Sequence, residues 1–62
     1  MDPDAALALI RTGVALFNSR QDRGDEAAAA DAAVEIMEAI EGLDNWITNG
    51  GFLPRAWTKE TT

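Results

Sequence analysis

The chain has 62 residues with no cysteine and no histidine, and its eleven acidic residues outweigh five basic ones for a formal charge of −6. That length holds one small domain, and the excess of anions opposes a sequence-independent grip on nucleic-acid phosphates. Without imidazole or thiol there is no ordinary zinc or haem ligand, no thiolate nucleophile and no disulfide framework. No catalytic, cofactor-binding or metal-binding residue is assigned, and the chain reads as a non-enzyme.

The hydrophobic fraction is 47%, but twelve of the 29 hydrophobic residues are alanine. A chain of about 60 residues buries only about 60% of its unfolded surface. Two helices alone are therefore marginal, and they need a third packing element, a second copy or a partner.

Asp2-Pro3-Asp4 is a helix start: Asp2 caps free N–H groups, Pro3 suits the first helical position and Asp4 complements the helix dipole. Leu7, Ile10, Val14 and Phe17 follow at helical spacing, flanked by Ala6, Leu9, Gly13 and Leu16. These eight cover about half the circumference, more than one neighbour requires. Gly13 costs about 1 kcal/mol in helix propensity against alanine, so its use is a close approach to another backbone. The first helix is expected over about 3–23, ended by Arg20, Arg23 and Gly24.

Asp25 caps a second helix over about 26–49 after a connection of two or three residues, which predicts an antiparallel hairpin. Arg23-Gly24-Asp25 spells an integrin-type tripeptide, but helix stop and cap account for its Gly and Asp. The expected buried stripe is Ala29, Ala33, Ile36, Met37, Ile40, Leu43 and Ile47, of which residues 33, 36, 40, 43 and 47 step by three and four. Gly50-Gly51 stops the helix; with Gly51 left-handed, Phe52 becomes the hydrophobe of a Schellman cap against Ile47. The tail, 50–62, is expected to fold back over the open end of the hairpin, where Trp46 also sits, with Thr58 to Thr62 fraying.

The Asp/Pro start, the Ala-rich acidic second helix and the ending Leu43-Asp44-Asn45-Trp46-Ile47…Gly50-Gly51-Phe52-Leu53-Pro54…Trp57 resemble small uncharacterised proteins of bacteriophages infecting actinobacteria. The resemblance spans most of the chain, and its specific part is Leu43 to Trp57. It implies an accessory role in the host cytoplasm and supplies no site residues. The acidic start is unlike a secretory signal and no apolar run approaches a membrane span, so a cytoplasmic location without membrane partners is expected.

Three constellations remain. Residues 25–49 carry seven acidic and no basic side chains, and Asp31, Glu35, Glu38 and Glu41 form an acidic face. That face is either a solvated surface or a phosphate mimic that occupies a host nucleic-acid-binding surface. Glu38 and Glu41, three apart, lack the histidines that usually complete a bundle metal site. Trp46, Phe52, Leu53 and Trp57 concentrate apolar area as a core plug or a partner anchor. Asp44, at the edge of the apolar arc, is either a boundary residue reaching water or the partner of Arg55 or Arg11 in a salt bridge. Leu9, Gly13, Leu16 and Phe17 are the expected self-association residues.

The sequence thus predicts one all-α domain over 1–62: an antiparallel two-helix hairpin with a folded-back aromatic tail, dimerising into a four-helix arrangement. Its expected function is that of a small acidic protein–protein interaction protein without cofactors, with a second copy or a host protein as partner and no direct nucleic-acid contact.

Overall fold

The computed structural model describes residues 1–58, and within them the chain is all-helical. Helix α1 (Pro3–Asp22) packs along helix α2 (Glu26–Thr48), and a short 3-10 helix, Arg55–Trp57, follows. Each long helix ends one residue before the predicted boundary. Residues 59–62, which the predicted tail includes, lie outside the described residues.

Local chemistry sets each helix end. The Asp2 carboxylate accepts hydrogen bonds from the Asp4 and Ala5 N–H groups at 3.0 and 3.3 Å, and Pro3 fills the first helical position. Gly24 adopts φ +76, a left-handed conformation that only glycine takes without strain. The Gly24 N–H donates to the Gln21 carbonyl and the Asp25 N–H to the Arg20 carbonyl, which completes a Schellman motif. The Asp25 side chain then accepts from the Ala28 N–H at 3.2 Å and starts α2. Termination and initiation are thus fused in one three-residue turn. Arg20 adds a staple, donating from Nη1 to the Ala28 carbonyl at 2.9 Å.

At the end of α2 the left-handed residue is Gly50, with φ +91, and not Gly51. The Gly50 N–H donates to the Ile47 carbonyl and the Gly51 N–H to the Trp46 carbonyl. Gly51 therefore occupies the place expected for Phe52. Phe52 meets Trp46 in place of Ile47: the rings are edge-to-face at 5.5 Å, and Trp46 Nε1 donates to the Phe52 carbonyl at 2.9 Å. A Cβ on Gly51 would fall inside the Trp46 indole, so glycine is required there by space.

The core is small. Its buried hydrophobic side chains are Ala6, Leu7, Ala29, Ala32 and Leu43, with Pro3 and Pro54 also fully buried. Of the predicted stripe of α2, Ala29 and Leu43 are buried and Ala33, Ile36 and Ile47 half-buried, but Met37 and Ile40 fall outside it and Ala32 is buried instead. Ala29, Ala32, Leu43 and half-buried Ile36 and Ala39 face α1, whereas Met37 is 65% exposed and Ile40 49%. The physical reason is the distance between the helices, because alanines let the backbones approach and larger residues are left at the flanks. Gly13 serves the same end: a Cβ there would stand 2.6 Å from Ile36 Cγ1.

At the open end, the Arg55 N–H donates to Asp4 Oδ1 at 2.7 Å and Arg55 Nε lies 3.5 Å from Asp4 Oδ2. Of the two readings of Asp44, the salt bridge is therefore absent among the described residues, and the boundary residue reaching water agrees with the structure. Arg55 is held by the first turn of α1, and among the described residues this is the only ion pair. Asp44 is exposed.

Candidate functional site

Two antiparallel helices in one layer leave a flank on either side of their contact. Here the sequence places apolar residues on both. The first flank is a groove lined by Leu9, Thr12, Gly13 and Leu16 from α1 and by Glu35, Glu38 and Ala39 from α2. The second is lined by Ile10, Ile40, Leu43, Asp44, Ile47 and Trp57. It runs on into a shallow patch of Met37, Ile40, Glu41 and Asp44. Val14, one turn beyond Ile10 on the same face of α1, is also exposed.

The predicted site residues divide between these surfaces. Leu9, Gly13 and Leu16 come together on the first flank, where Leu9 is 66% exposed and Gly13 lies buried under Ile36. Phe17 is half-buried and does not line that groove. Asp31, Glu35, Glu38 and Glu41 are all exposed, with Glu35 and Glu38 edging the first flank and Glu41 the second.

The aromatic group also splits. Trp46 and Phe52 pair beside the helix end, and Leu53 is exposed next to them. Trp57 is 50% exposed and reaches the second flank, held there by the Pro54–Arg55 segment that docks on Asp4. The expected buried stripe of α2 includes Met37 and Ile40, and the apolar arc of α1 includes Ile10 and Val14, yet all four line or adjoin the second flank. The width of the apolar arcs was the available sign that some of them face outward.

Among the described residues no group of three or more acidic side chains converges as a cation site, and no buried side-chain polar atom lacks a hydrogen-bond partner. No described helix is long and apolar enough to cross a membrane. What the two flanks offer is apolar area, and what α2 offers beside them is negative charge. No protein-family model, no curated protein and no solved structure matches this chain.

Proposed function

We propose that this chain is a non-enzymatic interaction protein that self-associates, two hairpins forming a four-helix arrangement whose interface includes the folded-back tail. The observation that carries this reading is the ratio of covered to uncovered apolar side chains. Among the described residues, Leu7 and Leu43 are the only large aliphatic side chains in the core, while ten large hydrophobic residues remain exposed. A domain this small has little buried core, and covering part of those side chains would supply the stabilisation it needs. The setting suggested by the tail resemblance is an accessory protein of a phage in the host cytoplasm.

Light scattering across a concentration series tests self-association. The mass is expected to rise toward twice the 6.6 kDa of the chain. A constant monomer mass up to millimolar concentration contradicts the reading.

A second reading draws on the acidic face. Asp31 to Glu41 span ten residues, about 15 Å of helix, comparable to the axial run of about four phosphates on one DNA strand. None of these four carboxylates has a basic partner among the described residues. In this reading the chain is an acidic inhibitor on a host nucleic-acid-binding surface. Salt-sensitive binding to a basic DNA-binding protein that is lost in Glu35→Gln/Glu38→Gln/Glu41→Gln supports it; binding unchanged by those substitutions removes it.

A further inference from the structure

We infer that a second copy of the chain docks on the second flank, the face of Ile10, Val14, Met37, Ile40, Ile47 and Trp57, with the two-fold axis parallel to the helices. This rests on the self-association proposed above and adds the face and the geometry.

Charge separates the flanks. Both charged residues that edge the first flank, Glu35 and Glu38, are acidic. Arg20, one turn beyond Leu16 on α1, already donates to the Ala28 carbonyl. Gly13, the small residue in that groove, is covered by Ile36 of its own chain. The second flank carries its charges on opposite rims instead. Arg11 lies on the α1 rim, one turn from Leu7 and Val14, while Glu41 and Asp44 lie on the α2 rim.

That separation selects the occupant and the axis. A two-fold parallel to the helices exchanges the rims, stacking α1 of one copy antiparallel on α2 of the other. The register within the hairpin, with Gly13 opposite Ile36 and Arg20 opposite Ala28, puts Arg11 about level with residues 37 and 38. Glu41 of the second copy is then about one turn, 5–6 Å, away along the axis, within reach of an arginine side chain. Two such pairs, Arg11 of each copy with Glu41 of the other, would be related by the axis.

Area is sufficient. A face about 20 Å wide and 30 Å long covers about 600 Å² per copy, or about 1,200 Å² in total, the lower end of stable interfaces. Trp57 adds to it, because the docking of Arg55 on Asp4 holds the ring at the end of this face. A partner protein of unrelated sequence would have to reproduce the same length, apolar stripe and split rims.

The chain has no cysteine, so single-cysteine variants report the face directly. Ile40→Cys treated with a short bis-maleimide is expected to be trapped as a dimer, and Leu9→Cys is not. Ile40→Glu is expected to weaken dimerisation by at least about a hundredfold in light scattering, a loss of about 2.7 kcal/mol, while Leu9→Glu leaves it within about threefold. A dimer that is trapped through Leu9→Cys, survives Ile40→Glu and dissociates with Leu9→Glu overturns the assigned face and leaves self-association standing. A wild-type chain that stays monomeric overturns both.

Discussion

The two ends of the hairpin are built on different principles. At the closed end, every bond joins residues close in sequence: the Gly24 and Asp25 N–H groups close the last turn of α1, Asp25 opens α2, and Arg20 reaches Ala28. Its packing is of small residues, with Ala29 and Ala32 buried. At the open end, Arg55 reaches Asp4 across 51 residues of sequence, and Leu7, Leu43, Pro3 and Pro54 provide the large buried groups. The closed end sets the direction of the chain at little entropic cost, and the open end supplies most of the hydrophobic stabilisation. An element with few large side chains in its core depends on each of them.

The largest effect should therefore come from the open end's core. Leu43→Ala removes one of two large buried aliphatic side chains and is expected to cost about 2–5 kcal/mol. For a domain this small that is most of the stability, so loss of helical circular dichroism at 25 °C is the expected readout. Retention of a wild-type melting transition would mean that the core lies elsewhere.

Gly24→Ala tests the closed end. Placing a Cβ at φ +76 costs about 1–2 kcal/mol, and with open space around it the cost is purely backbone strain. The melting temperature should fall without a change in helix content. At the middle of the hairpin, Gly13→Ala gains about 1 kcal/mol of helix propensity but meets Ile36, and overpacking of 1–3 kcal/mol outweighs it by about 1 kcal/mol. Combined with Ile36→Ala, the two losses should be less than additive in a double-mutant cycle.

The smallest effect is expected for Arg55→Ala. Its side chain is 93% exposed, and surface ion pairs contribute at most about 1 kcal/mol. The backbone N–H that holds Asp4 remains in the variant. Stability within about 0.5 kcal/mol of wild type is expected, whereas Asp4→Ala, which removes the acceptor and lies two residues past the cap, should loosen the 51–58 segment to proteolysis.

The same division explains what was legible in the sequence. Helix ends depend on residues within one turn of each other, so Asp2-Pro3, Gly24-Asp25 and Gly50-Gly51 located both helices to within a residue. The exposure of Met37 and Ile40 was not legible. A stripe chosen for hydrophobicity favours them, but the contact with α1 favours small residues that let the backbones approach, so Ala32 is inside along with the expected Ala29. The Asp4–Arg55 contact was also hidden, since periodicity carries no information about pairs 51 residues apart and Asp4 already had a local role at the helix dipole. At the candidate site, the excess apolar width pointed to association. The flank proposed for it rests on where Glu35, Glu38, Arg11 and Glu41 fall around the hairpin.

The central claim is that this hairpin completes its apolar core by pairing. The concentration dependence of thermal unfolding tests it most directly, because only a folded state that associates gains stability by mass action. The account predicts a melting temperature that rises on the order of 5 °C for each tenfold increase in protein. A melting temperature independent of concentration from micromolar to millimolar would contradict it.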